Sequence, residues 1–244
     1  MTTIFVHGAA ADARVWDPVI AALPAATDAR AVTLTYFGQA PWPDDGSRFG
    51  TDVHAADVIA AAAEAGGKVD LVCWSYSVHV GLAALVDRPD LFASALFYEA
   101  GMPVYVEDPD RRARCDASFG AVFGPVGKAL AAHGDLASVE ALAGENWARL
   151  DAEQRGVMRA NARTMPLLMG GGQPPRKIAL DTIRSIDTPT RVLAGSETQS
   201  CFALPSRDLA ALMPNATFEC IDGADHFLPM TDPARFAGLV SDLL

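Results

Sequence analysis

Val69-Asp70-Leu71-Val72-Cys73-Trp74-Ser75-Tyr76-Ser77-Val78-His79-Val80-Gly81-Leu82 is the stretch whose reading decides the fold. An apolar, largely β-branched run ends at Ser75, and apolar residues at helical spacing begin at Tyr76 with no loop between them. A strand that becomes a helix within about one residue needs a sharp turn, with a strained apex residue whose side chain projects outward. The apex here is a serine. The positions two before and two after it must be small, and the usual pattern is Gly-x-Ser-x-Gly; Cys73 and Ser77 are small, but neither is glycine. A strand end followed by a serine N-cap looks the same locally, so this window alone leaves both a nucleophile and a cap open.

Around this stretch the chain alternates. Ile4 to Val6 reads as a strand, Arg14 to Leu23 as a helix stopped by Pro24, Ala31 to Tyr36 as a strand, and Thr51 to Ala65 as a helix closed by Gly66 and Gly67. After Val69 to Trp74 and the helix Tyr76 to Val86, Ser94 to Tyr98 is another strand, ending at Glu99. Alternation of this kind predicts an α/β fold, a mostly parallel sheet with helices on both faces. Reactive groups then gather at the C-terminal ends of the strands. Between residues 102 and 188 the rhythm changes to helices alone, over Val126 to Ala132, Leu136 to Leu150 and Glu153 to Met165. That segment is expected to be a helical cap between two parts of a core domain, residues 1–101 and 189–244. Tyr105, Phe119, Phe123, Trp147, Met158 and Met165 are its candidate pocket wall, although any one of them equally suits a packing role. The alternation resumes with strands at Thr190 to Ala194 and Thr217 to Ile221, and helices at Leu204 to Leu212 and Asp232 to Leu244.

Composition bounds the function. A chain of 244 residues, half hydrophobic and a fifth charged, suits a soluble globular protein with a substantial core. Its formal charge of −11 argues against nucleic acid or an anionic membrane as partner. Cys73, Cys115, Cys201 and Cys220 lack metal or redox spacing, so a reduced, cytoplasmic setting without a metal or other cofactor is expected. No leader and no apolar run of membrane-spanning length is visible. A monomer or homodimer acting on a small molecule fits these bounds.

A serine hydroxyl needs a base to take its proton, and the base needs an anion to orient it. Of the five histidines, His54, His79 and His133 lie in or beside presumed helices, where packed or exposed histidines are the default. His226 follows the last strand in a glycine-containing loop, level with Ser75 in such a sheet. His7-Gly8 after the first strand, Trp74 to Ser77 at the elbow, and Gly223-Ala224-Asp225-His226-Phe227-Leu228-Pro229 with Asp232-Pro233 together resemble the α/β-hydrolase superfamily over nearly the whole chain. The resemblance implies that family's fold, with its opening hairpin reduced or absent.

It also implies Ser75 as nucleophile and His226 as base. In much of the family the acid follows the strand after the cap in a Gly-x-x-Asp pattern, but here Gly195-Ser196-Glu197-Thr198 puts a threonine there. Glu197 and Glu99 remain, and Asp225 is too close to His226 in sequence. The segment Leu96 to Ala100 is similar to some haloalkane dehalogenases and to zearalenone-type lactone hydrolases, whose acid is a glutamate at this earlier strand end. Glu99 is therefore preferred, against the structural alternative of an ion pair with Arg111, Arg112 or Arg114. For the oxyanion hole the helix-terminal amide of Tyr76 is one donor; the resemblance implies Ala9, or else Ala10, as the other, with His7 bracing their loop. The expected activity is a serine hydrolase of a carboxylic ester or lactone of a small, moderately apolar molecule. A C–C bond hydrolase, a cofactor-free perhydrolase and a low-turnover receptor of the same fold are the alternatives. A serine at position 75 argues against dehalogenase and epoxide hydrolase chemistry, which need a carboxylate nucleophile.

Overall fold

The computed structural model describes residues 1–242. Six strands, β1 (Thr2–Val6), β2 (Asp28–Val32), β3 (Val69–Trp74), β4 (Phe92–Tyr98), β5 (Thr190–Gly195) and β6 (Ala216–Ile221), form one sheet in the order β2-β1-β3-β4-β5-β6, and every pairing is parallel. The helices in chain order are α1 (Asp17–Ala22), α2 (Thr51–Glu64), α3 (Tyr76–Asp87), α4 (Pro109–His133), α5 (Asp135–Ala143), α6 (Ala152–Ala160), α7 (Leu180–Ile183), α8 (Ser200–Leu212), α9 (Leu228–Thr231) and α10 (Pro233–Ser241). The predicted helix end at Leu243 and Leu244 lies outside the described residues. Among the described residues no helix is long and apolar enough to cross a membrane.

Central strands buried on both faces split their side chains by period two. Ile4, Val6, Leu71, Cys73 and Phe97 enter one core, with Val58 of α2 and Leu82 of α3. Phe5, Val72, Trp74, Leu96 and Tyr98 enter the other, with Val19 of α1 and Phe236 of α10.

One expected strand and three expected helices have other bounds in the structure. The predicted strand Ala31 to Tyr36 is displaced to Asp28–Val32, because the next residues bond sideways. Thr33 Oγ1 accepts from Ala13 N–H at 3.1 Å, Thr35 N–H donates to Asp57 at 2.7 Å, and Tyr36 has φ of 75°, outside any strand. Between β4 and β5 the described residues are helical without a strand, as expected, but divided differently. The predicted helix from Val126 starts at Pro109 and runs through Pro125. The helix expected over Leu136 to Leu150 ends at Ala143, where Gly144 takes φ of 55°. That expected over Glu153 to Met165 ends at Ala160, where the Asn161 side chain caps Val157 O at 2.9 Å and reaches two distant loops. Asn161 Nδ2 donates to Asp12 at 2.7 Å and its Oδ1 accepts from Gly38 N–H at 2.6 Å. This buried amide ties the helical segment to the loops that follow β1 and β2.

The strand-to-helix passage at Ser75 requires close packing of α3 on β3. A Cβ on Gly81 would lie 2.6 Å from Cys73 Sγ and 3.1 Å from the Phe97 ring. Gly81 therefore gives Cys73 the room that a glycine at position 73 would otherwise supply. Gly81→Ala should cost about 1–3 kcal/mol by overpacking. Removing the sulfur in Cys73→Ala/Gly81→Ala should return part of that loss, as a non-additive double-mutant cycle in urea denaturation; additive effects would contradict the account.

His7 at the end of β1 is fully buried. Its Nε2 accepts from Leu34 N–H at 3.2 Å, so Nδ1 carries the proton and donates to Gly8 O at 2.8 Å. Burial pulls its pKa down to about 4, and burial does the same to His54, whose Nε2–H donates to Thr35 O. Both histidines are neutral in the fold, whereas an unfolded histidine protonates near 6.5. Between those values the unfolded chain binds more protons, so stability is full above pH ~6.5 and falls as pH drops toward about 4, by on the order of 3 kcal/mol per histidine. Urea midpoints should already decline between pH 6.5 and 5, above the range where carboxylates dominate. A flat profile there would refute the buried neutral assignment.

Candidate active site

Ser75 sits one residue beyond the paired end of β3, where Trp74 registers with Tyr98. Its backbone has φ of 60° and ψ of −116°, the strained apex expected of a strand that turns directly into a helix. The conformation is held by Ser75 N–H donating to Tyr98 O at 2.9 Å. Ser77, where the common pattern has glycine, turns its hydroxyl inward. Ser77 Oγ accepts from Trp74 N–H at 3.0 Å and donates to Val6 O at 2.8 Å, lacing the elbow to β1. Gly8 packs closely opposite, where a Cβ would sit 3.3 Å from Ser75 Cβ and the Trp74 ring.

Glu99 occupies the equivalent place one residue beyond β4 and also has a left-handed φ, 58°. Its carboxylate is fully buried and accepts three hydrogen bonds: Gly195 N–H at 2.8 Å, the Thr198 hydroxyl at 2.7 Å and His226 Nδ1–H at 2.5 Å. With Nδ1 protonated, His226 Nε2 accepts from the Ser75 hydroxyl at 2.9 Å. The structure thus brings together the three residues selected from sequence, in one hydrogen-bonded chain. Glu197 does not join it: its side chain is exposed and meets Ser196 Oγ at 3.3 Å. The ion-pair alternative for Glu99 with Arg111, Arg112 or Arg114 also fails, because among the described residues Glu99 pairs with His226 alone, while Arg111 pairs with Asp108 and Asp208 and Arg112 with Asp116.

The His226 loop is fixed from three sides. Tyr98 OH donates to Asp225 O at 2.6 Å, Trp74 Nε1–H donates to His226 O at 2.9 Å, and the Phe202 ring stacks on the imidazole at 3.8 Å between centroids. The N–H groups of Ala9 and Tyr76 donate to no acceptor among the described residues, and both residues border the space in front of Ser75. Ala10, next to Ala9, has φ of 51°, so the loop after His7-Gly8 is as sharply bent as the elbow it faces.

Two cavities open on Ser75, of about 550 and 520 Å³. Of the six candidate wall residues, Phe119, Phe123 and Met165 line them; Tyr105, Trp147 and Met158 do not. Tyr105 is buried beneath the second cavity, donating its hydroxyl to His79 Nδ1 at 2.6 Å. Met158 is buried in the core on the side of the sheet that also holds Val19 and Phe236. Trp147 stacks under Arg159 at 5.1 Å. Each satisfies the structural account offered for large residues of this segment. His54, His79 and His133 stay outside the Ser75 chain: His54 accepts from Tyr76 OH, His79 Nε2–H donates to Arg176 O, and His133 is exposed.

Four contributors escape sequence reasoning. Thr198 was passed over because it is not an acid, although a hydroxyl there is a donor to one. Gly195 is visible in sequence only as the start of the Gly-x-x-Asp pattern, not as a donor to Glu99; Phe202 and Arg149 carry no motif, and only the fold brings them to His226 and its loop. Among the described residues no group of three His, Cys, Asp or Glu is placed to hold a metal.

No curated protein sequence matches the chain. Solved structures match over its whole length. A thermophilic esterase from Thermogutta terrifontis superposes with a TM-score of 0.73 at 18% identity, covering 100% of this chain and 89% of that one. The esterase RhEst1 from Rhodococcus sp. ECU1013 gives 0.69 at 22%, covering 100% and 90%. MenH from S. aureus gives 0.74 at 17%, covering 100% and 93%. At these identities the likeness carries the fold. The model of the alpha/beta hydrolase family matches residues 3–239. With the fold and the family model in agreement from the first strand to the last helix, the chain belongs to the alpha/beta hydrolase family.

Proposed function

We propose that the protein is a serine hydrolase that cleaves a carboxylic ester or lactone of a small, moderately apolar molecule. The observation that carries this reading is the hydrogen-bonded run from Ser75 through His226 to the buried Glu99. In it Ser75 Oγ attacks the acyl carbon while His226 Nε2 takes its proton. Glu99 holds the imidazole in the tautomer with Nδ1 protonated and stabilises the imidazolium that forms. The oxyanion points at the N–H groups of Tyr76 and Ala9, where the start of α3 adds its dipole. His226 then gives its proton to the leaving oxygen, the acyl group remains on Ser75, and a water activated by His226 releases the acid. Residues 102–188 act as the cap, supplying Phe119, Phe123 and Met165 to the wall. The esterases among the structural neighbours support an ester as the bond cleaved.

Ser75 should react with a fluorophosphonate, and Ser75→Ala should not. Glu99→Gln should lose roughly 10²–10⁴-fold in kcat on an activated ester while melting within a few degrees of the parent, because the amide favours the wrong tautomer. Glu197→Gln should lose far less kcat on the same activated ester than Glu99→Gln and should still label with the fluorophosphonate. If Glu197→Gln collapses turnover and Glu99→Gln does not, the acid is misassigned.

A further inference from the structure

The two cavities share Ala9, Ser75, Phe123, Leu142 and Phe202, and otherwise differ in chemistry. Building on the serine hydrolase reading, we infer that they are separate arms of one substrate site. The arm containing Tyr76 takes an apolar acyl chain, and the arm containing His226 takes a leaving group that is rich in hydrogen-bond donors and not anionic.

The direction follows from proton transfer. His226 borders the first cavity and not the second, while Tyr76 borders the second and not the first. The general acid must lie within hydrogen-bond reach of the leaving oxygen, so the leaving group's remaining atoms extend into the cavity that His226 lines. The acyl substituent is left with the other.

The chemistry follows from which polar groups are already engaged. The acyl arm has no Asp, Glu, Lys or Arg in its wall. Its polar side chains are turned to internal partners. Tyr76 OH donates to His54, both His79 nitrogens are taken by Tyr105 and Arg176, Thr51 Oγ1 accepts from Arg176 N–H, and Gln173 Nε2 donates to Ser47 O. What faces a ligand is Phe49, Met165, Leu167, Leu168 and Met169, a surface that gains by burying hydrocarbon. At about 520 Å³ this arm is far larger than an acetyl group.

The leaving-group arm is the reverse. Its wall includes Glu145, Glu197 and Asp225 against a single guanidinium, Arg149, whose Nη1 donates to Asp225 and Asn146. Glu145 and Glu197 form no ion pair among the described residues. Pro125 has no N–H, so the Ala121 carbonyl four residues earlier lacks its helical donor, and both residues line this arm. Asn146, whose Oδ1 is taken by Arg149, and Gln199 add amide donors, so what sets this wall apart is its net negative charge, three carboxylates against one cation, together with the acceptors those carboxylates and the Ala121 carbonyl supply. A polyol or amino alcohol satisfies it, and a carboxylate-bearing alcohol is repelled.

The test uses the full chain. Fluorophosphonate labelling at Ser75 is measured first, then kcat/KM on the acetyl, butyryl and octanoyl monoesters of glycerol, on propyl octanoate, and on the octanoyl ester of glycolate. Labelling is expected, with at least a tenfold rise from acetyl to octanoyl. Monooctanoylglycerol should exceed propyl octanoate at least fivefold. The glycolate ester should fall at least tenfold below the glycerol ester, with the gap narrowing in 1 M salt. Leu168→Trp should lower the octanoyl-to-acetyl ratio at least fivefold. Labelled protein with a flat acyl series, with a preference for the anionic alcohol, or with no turnover of these esters overturns the two-arm assignment and leaves the nucleophile standing. Folded protein that does not label overturns the serine hydrolase reading and this inference with it.

Discussion

The parallel register between β3 and β4 is the constraint on which the site depends. Trp74 pairs with Tyr98, so Ser75 and Glu99 are the first unpaired residues of adjacent strands and leave the sheet side by side. Both adopt a left-handed φ, a conformation that costs on the order of 1–3 kcal/mol for a residue with a side chain. Neither strain is free to relax. Ser75 N–H is held by Tyr98 O and Glu99 N–H by Leu193 O, each at 2.9 Å, so the hydrogen-bond ladder runs one step past the strands and fixes the two turns. A one-residue slip between β3 and β4 would exchange the faces of every side chain and separate the hydroxyl from the carboxylate.

The same constraint explains the absence of the usual glycines. Close passage of strand and helix demands missing volume at the elbow, not a particular position for it. Here the missing Cβ is on Gly81 across from Cys73, and the other missing glycine is replaced by Ser77, whose hydroxyl is consumed internally. A local pattern therefore reads weak where the three-dimensional requirement is met in full.

This is why the sequence was legible in some places and opaque in others. Strands at Thr2–Val6, Val69–Trp74 and Thr190–Gly195 could be read because buried parallel strands are short apolar runs with breakers at their ends. Ser75, Glu99 and His226 could be read because each closes such a run or follows it. The edge strand Asp28–Val32 was misplaced because its residues are only partly buried, while the more apolar residues after it belong to a loop held by Asp57. In the helical segment, apolar residues at helical spacing face the cavity and the core alike. Phe119 and Met158 carry the same signal, yet one lines the space before Ser75 and the other is buried in the core. Long-range partners such as Asn161 with Asp12, or Phe202 with His226, leave no periodic trace at all.

Thr198 sits where the family's common pattern would have an acid, and its geometry explains why the two arrangements exclude each other. Its hydroxyl lies 2.7 Å from Glu99 Oε2, the oxygen that also accepts from His226. A carboxylate at position 198 would bring a second negative charge to that oxygen, and two carboxylates at such a distance do not both stay ionised. A buried anion at position 99 needs donors instead. Gly195 N–H, the Thr198 hydroxyl and His226 Nδ1–H are three, and one of them exists only because position 198 is not acidic. Threonine at 198 is thus the complement of glutamate at 99. The two positions behave as one unit in which the charge occupies one strand end and the donor the other.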